Sequence, residues 1–207
     1  MKYVDLTQGI DENTKVFPGD EKYKIKKTAS FEDDGYTLFN IETGLHVGTH
    51  IDIPMHMSNS KKYISEYTID KFIGNGVLLN VVGEKVIGIK DEYYKRIKEN
   101  DIVLLYTGFS EKFGEEDYFK EYPIVSEEFA EFLVRKKIKM LGVDSPSPDK
   151  SPYNIHKVLC ENNIPILENL TNLKNLLYVE DFEVFAQPLK INAEASLVRA
   201  FARYVGY

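Results

Sequence analysis

The sequence predicts a mixed α/β protein, and three observations carry that expectation. Short apolar runs at 75–82, 102–106 and 138–143 have the length and composition of buried strands. Between the second and third runs, Ser126 to Lys136 sets Phe129, Phe132 and Leu133 on one helical stripe. The first third has no such stripe and alternates apolar with polar residues, which argues for a β layer packed on an α/β layer. At 207 residues the chain has the size of one domain able to bury its own core without disulfides or structural metal.

Taken in order, residues 2–7 read as a first strand, and Val16 to Asp20 carries a Pro18-Gly19 turn. Tyr23 to Ser30 and Tyr36 to Thr43 alternate around Asp33-Asp34-Gly35, the signal of a hairpin. Asp91 is placed to cap a short helix over 92–98. The buried strand Ile102 to Tyr106 ends at Thr107-Gly108. Ser151-Pro152 has the form of a helix start, continued by Ile155, Val158 and Leu159 on one face, with His156 in the first turn. Ile164 to Asn169 reads as an extended segment presenting Glu168, and Phe182 to Leu189 as a further strand. Residues 195–202 are helical by propensity alone. No repeat, linker or low-complexity segment divides the chain.

Composition narrows the function. A net charge of −7 leaves no basic face for nucleic acid or anionic membrane, and the short clusters Lys24 to Lys27 and Arg135 to Lys139 read as solvated surface. The one cysteine, Cys160, can form no internal disulfide and reads as a small buried hydrophobe. Met1 to Leu6 carries charges where a secretory leader needs an apolar run, and no apolar stretch is long enough to cross a bilayer. The expectation is a cytoplasmic protein.

The chemistry concentrates in His46-Val47-Gly48-Thr49-His50-Ile51-Asp52-Ile53-Pro54-Met55-His56, which holds three of the four histidines and a carboxylate in eleven residues. Imidazole with carboxylate is the mixed nitrogen/oxygen set that suits zinc, manganese or iron. A helix is disfavoured by Gly48 and Pro54, and it would turn Asp52 roughly 200° away from His50. An extended chain alternates its side chains, so His46, His50 and Asp52 share one face, with Gly48 between them leaving room for an ion. Pro54 then ends regular pairing and delivers His56 on a loop, as a fourth ligand, a group behind the ligands or a proton carrier. By spacing alone His156, Glu168, Asp20, Asp144 and Asp149 read as ordinary polar residues of turns and element ends. No base or acid pattern surrounds Thr49 or Ser145, so a serine-type mechanism has no support.

His46 to His56 resembles, at every fixed position, the His-x-Gly-Thr-His-x-Asp-x-Pro-x-His motif of the cyclase family of metal-dependent hydrolases, which includes kynurenine formamidases and isatin hydrolases. The resemblance extends to Phe17-Pro18-Gly19-Asp20, Thr107-Gly108, Gly142-Val143-Asp144 with Ser147 and Asp149, His156, and Ile166 to Leu170, and so spans nearly the whole chain. It implies a swivelling β/β/α three-layer sandwich in a single domain, 1–207, assembling as a homodimer or higher homo-oligomer. It implies that His46, His50 and Asp52 bind one divalent ion, that Asp52 bridges to a second, and that His156 and Glu168 complete that second site with Glu168 bridging back. The two ions would be zinc, with manganese as the alternative. His56 corresponds to the family's proton-transfer residue, and Phe17 to the place where kynurenine formamidases carry an aromatic residue against the substrate ring. The resemblance also overrides the helical propensity at Ser196 to Ala200 in favour of a strand.

The function expected is metal-dependent hydrolysis of a small-molecule amide at a carbon–nitrogen bond other than a peptide bond. Arylformamidase action on N-formylkynurenine, a step of tryptophan catabolism, is the leading activity. An isatin-hydrolase-like or other cyclic-amide hydrolase is the alternative, and a metal-containing binding protein without turnover is the alternative from another class.

Overall fold

Strands and short helices alternate through residues 1–206, which the computed structural model describes. Strands β1 (Lys2–Asp5), β2 (Lys24–Ala29), β3 (Leu38–Glu42), β4 (His50–Asp52), β5 (Ile73–Asn80) and β6 (Val86–Ile87) make up the first part, with the single turn α1 (Phe31–Asp34) between β2 and β3. Helix α2 (Tyr93–Arg96) leads to β7 (Ile102–Tyr106) and β8 (Ile124–Val125). Helix α3 (Glu127–Arg135), β9 (Met140–Val143), helix α4 (Asn154–Glu161) and β10 (Ile166–Glu168) follow. The chain closes with β11 (Glu183–Phe185), β12 (Ala195–Leu197) and β13 (Phe201–Tyr204). The mixed α/β class is therefore the observed one. No helix among the described residues is long and apolar enough to cross a membrane.

Nine strands form one sheet in the order β1-β13-β11-β5-β7-β9-β10-β4-β12. The strands β5, β7, β9 and β10 run parallel to their neighbours in that run, whereas β4 is antiparallel to both β10 and β12. The sheet curls until its two parts meet. Leu6 N–H donates to Ala200 O, Thr171 N–H donates to Leu6 O, and Thr7 bridges Leu170, so the end of β1 is tied to the end of β10.

Strand parity sorts the core. Ile102 and Leu104 of β7 enter one cluster with Ile51, Leu167, Leu170 and Leu6, inside the curl. Val103 and Leu105 enter a second, against Phe129, Phe132 and Leu133 of α3 and Ile155 and Leu159 of α4. A strand apolar on both faces is what a central parallel strand requires. The helical stripe read from the sequence is the one buried, and α3 starts where Ser126 accepts a hydrogen bond from Phe129 N–H.

Three local expectations need correction. Helix α4 starts at Asn154, not at Ser151-Pro152; its first N–H groups, on Ile155 and His156, are satisfied by the Asp149 carboxylate at 2.7 and 3.1 Å. Tyr153 takes a left-handed conformation immediately before it, which separates the proline from the helix. Asp91 is not the cap of α2, whose preceding residue is Glu92 and whose start has no side-chain cap. Third, the extended reading of 46–52 holds only from His50 onward. Gly48 has φ +61°, so the chain turns there, and a Cβ at Gly48 would stand 3.0 Å from Ile10. The glycine serves the turn, not space for an ion.

The strand expected near Ser196 to Ala200 is present as β12, continued by the Pro188–Val198 bridge and β13. Within the curl, β9 approaches its neighbours so closely that a Cβ on Gly142 would lie 2.5 Å from Leu104 Cδ2 and 2.9 Å from Leu170 Cδ1. Gly142→Ala is expected to destabilise the protein by about 1–3 kcal/mol, as overpacked cores do, read as a lower urea midpoint. An unchanged midpoint contradicts this packing.

Candidate metal centre and pocket

The register of β4 against β10 builds the site from two halves of the chain. Glu168 pairs with His50 and Ile166 with Asp52. Directly opposed residues share a face, and His50 and Asp52 share one by parity. Ile51 and Leu167 therefore point into the curl, and Ile166 toward the α4 side. His50, Asp52 and Glu168 emerge on that same α4 side, all buried. Helix α4 crosses this face and supplies His156, 3% exposed. His46 arrives from the turn at Gly48, and His56 from a 3₁₀ turn that opens with Pro54.

Two carboxylates sit among the four histidines and divide their oxygens between them. Asp52 Oδ1 lies 2.9 Å from His46 Nδ1 and 3.6 Å from His50 Nε2, whereas Oδ2 lies 3.8 Å from His156 Nε2 and 3.9 Å from His56 Nε2. Glu168 does the same, with Oε2 3.3 Å from His50 Nε2 and Oε1 3.2 Å from His156 Nε2. The donor atoms of His46, Asp52 and His56 form one tight group, and those of His50, Asp52 and Glu168 another.

The ring orientations are fixed from behind. His50 Nδ1 lies 2.8 Å from Gly48 O, an acceptor only, so Nδ1 carries the proton and Nε2 presents a lone pair. His156 Nδ1 lies 2.6 Å from Asp149 Oδ1, and its Nε2 is likewise turned to the carboxylates. Despite these distances, His50 Nε2, Asp52 Oδ1 and Glu168 Oε1 have no aligned hydrogen-bond partner. Lone pairs converging on lone pairs in a buried space repel unless positive charge lies between them. This donor set fits a divalent cation.

The electrostatics agree. Burial opposes protonation of His46, yet the adjacent Asp52 carboxylate outweighs it and raises the pKa to about 9. His50 and His156 are also raised, against burial, by Asp52 and Glu168 for the first and by Asp149, Asp52 and Glu168 for the second. Burial works against ionisation of Asp52, but His50 and His46 hold it well below the usual carboxylate range. His56 alone moves down, pushed by burial and by the neighbouring His46 and His156 against the pull of Asp52.

Above this floor opens a cavity of about 390 Å³. Phe17 stands in its wall, edge-to-face with Phe119 at 5.5 Å between ring centres, and Tyr153 and Met57 complete an apolar lining. The site residues named from the sequence, His46, His50, Asp52, His56, His156, Glu168 and Phe17, are thus brought together around one cavity.

Spacing did not single out Asp149, which orients His156, or Asn169, whose Nδ2 donates to Gly48 O while its Oδ1 accepts from Tyr118. Phe119 was also missed. The only signal for it was the aromatic density of Phe109, Phe113, Tyr118, Phe119 and Tyr122, three of which form a separate small core. Asp144 is structural, as a turn-end acid should be: it accepts from Thr107 N–H and Oγ1 and from Gly108 N–H, clamping β9 to β7.

A curled mixed sheet with shared carboxylates and histidines at the floor of an apolar cavity defines a class of proteins built around a metal-type centre. More particularly, the chain belongs to the cyclase family: the family model described as "Putative cyclase" matches residues 4–150. A kynurenine formamidase of Bacillus cytotoxicus is 29% identical, over 98% of this chain and 97% of its own length. A solved isatin hydrolase bound to the product analogue thioisatinate superposes with a TM-score of 0.87 at 22% identity, covering 97% of this chain and 91% of its own. A solved structure described as a potential metal-dependent hydrolase with cyclase activity has a TM-score of 0.79 at 26% identity, covering 97% and 96% of the two chains.

The raised pKa of His46 gives a test on the metal-free chain. A folded-state value of about 9 against an ordinary 6.5 means a contribution to stability that is complete below pH 6.5 and is lost as pH rises through 9. In the presence of a chelator, the difference in melting temperature between the wild type and His46→Gln should shrink from pH 6.5 to 9. A difference that grows over that range contradicts the assigned environment.

Proposed function

We propose that this chain is a metal-dependent amide hydrolase and that its leading activity is arylformamidase: release of formate and the free aromatic amine from an N-formyl arylamine such as N-formylkynurenine. The observation that carries the proposal is the convergence of unpartnered His50 Nε2, Asp52 Oδ1 and Glu168 Oε1 at the floor of an aromatic-walled cavity. The full-length similarity to a kynurenine formamidase supports the choice of substrate class.

His46, His50 and Asp52 would hold one divalent ion, and His156 with Glu168 the other, each carboxylate serving both because its two oxygens face opposite sides. Zinc suits this ligand set, and manganese is the alternative. A bound ion supplies water acidified toward neutrality and charge stabilisation at the amide oxygen. The chain's own residues supply the rest. Gly48 O and Asp149 hold the two imidazoles in the tautomer that leaves Nε2 free. Phe17 and Phe119 give an aromatic ring an apolar wall.

His56 stands beside Asp52 Oδ2 and is half-buried, with a pKa pushed below the ordinary value, so it is neutral near pH 7. It can take a proton from water at its open nitrogen and return it to the departing nitrogen. The whole chain, 1–207, would act as one catalytic domain.

Formate release from N-formylkynurenine, measured after zinc or manganese loading, tests the substrate. Release at a rate far above the metal-stripped protein is expected; absence of release with rapid opening of isatin would overturn arylformamidase, and no hydrolysis of any open or cyclic amide would leave a binding protein.

The roles within the site separate by metal content. His56→Ala should retain two ions while losing about 10²–10⁴ in kcat, the range of a general acid–base. Loss of an ion in that variant makes His56 a ligand instead. Glu168→Ala should weaken both ions, and unchanged stoichiometry argues against its bridging.

A further inference from the structure

Two of the three histidines that would hold the ions have their outward nitrogen fixed by a group already named: Gly48 O behind His50, and Asp149 behind His156. His46 is the third, and it needs such a hold most. His50 stands on β4 and His156 on α4, both buried, whereas His46 precedes the turn at Gly48, outside any strand or helix, with its side chain 24% exposed. Neither a ladder nor a helix sets its ring.

That ring lies between two carboxylates. Its Nδ1 is 2.9 Å from Asp52 Oδ1, on the side of the centre, and its Nε2 is 3.4 Å from Oε1 of Glu194, a residue 148 positions further along the chain. The backbone beside Glu194 is held at two points. Ile53 N–H donates to Glu194 O at 3.1 Å, and the next residue, Ala195, pairs with Asp52 in the β12–β4 ladder. The strand that carries Asp52 therefore also places the carboxylate on the other side of His46. No lysine or arginine among the described residues pairs with Glu194, which leaves His46 as its one ionic partner there.

We infer that Glu194 is a positioning residue for the metal centre: its carboxylate accepts a hydrogen bond from His46 Nε2–H and so keeps the Nδ1 lone pair aimed at the ion that His46 would share with His50 and Asp52. The assignment rests on the metal centre proposed above, and adds to it a residue on the far side of the ring from Asp52. A ligating imidazole keeps one proton, and the group behind it decides which nitrogen carries that proton. The histidines then hold opposite tautomers. His50 and His156 present Nε2 with the proton on Nδ1, whereas His46 presents Nδ1 with the proton on Nε2. A carboxylate behind the ring also makes the facing nitrogen a stronger donor, because a hydrogen bond to an ionised acceptor is stronger than one to a carbonyl such as Gly48 O.

Zinc titration against a chromophoric chelator, together with nitrogen NMR of the imidazole rings, tests this with no catalytic readout. In the zinc-loaded wild type, long-range proton–nitrogen correlations should place the His46 proton on Nε2 and those of His50 and His156 on Nδ1. Glu194→Ala should weaken one of the two ions by about 10–100-fold, the range for removing such a partner. The other ion should stay near its wild-type affinity, and the circular dichroism spectrum should be unchanged. Glu194→Gln, whose amide oxygen still accepts from Nε2–H, should recover most of the loss. A His46 proton found on Nδ1 overturns the inference. So does a Glu194→Ala protein in which both affinities are unchanged, or in which both fall alike, the mark of a general loosening. A wild type that takes up no zinc overturns the metal centre itself, and the role of Glu194 with it.

Discussion

Asp52 and Glu168 are the constraint on which the rest of the structure depends. Two carboxylates buried within a few ångströms of each other carry charge that an apolar interior cannot tolerate alone. Their oxygens are divided between His46 and His50 on one side and His156 on the other. In the metal-free chain, protons meet part of that demand, which is why three histidines have raised pKa values. The same field that holds those protons would hold metal, and the two would compete.

The fold provides the means of keeping that charge in place. A three-residue strand, β4, is buried between β10 and β12, so His50 and Asp52 cannot turn toward water without breaking two ladders. Glu168 is fixed opposite His50 by register, and His156 by a helix whose first turn is tied to the same Asp149 that orients its ring. Asn169 and Thr49 lock the two strands behind the site: Thr49 Oγ1 donates to Asn169 O at 2.7 Å. The aromatic cavity wall, at Phe17 and Phe119, belongs to loop segments outside the sheet and helices.

Much of this was legible in the residues. The stripe of α3 has an unambiguous period, the apolar runs of β5, β7 and β9 have the length and composition of buried strands, and all four lie at or within a few residues of where they were expected. The parity of His50 and Asp52 was readable because Ile51 and Ile53 between and after them are purely apolar. The positions of His156 and Glu168 were not readable from spacing, because a 118-residue separation between His50 and Glu168 is closed by strand register, which no local pattern records. Only family resemblance pointed to them. His46 reaches the site for a different reason from the one parity supplies, since Gly48 turns the chain. The start of α4 was misplaced because its cap lies five residues upstream of the first helical residue, in Asp149, and not beside it.

In the proposed centre the two carboxylates, Asp52 and Glu168, would be shared between two cation positions. Anomalous diffraction from a zinc-loaded crystal addresses it directly. Two anomalous peaks are expected, one on the His46/His50 side and one on the His156 side, both adjoining Asp52 and Glu168. A single peak, or peaks that leave either carboxylate out, would contradict it.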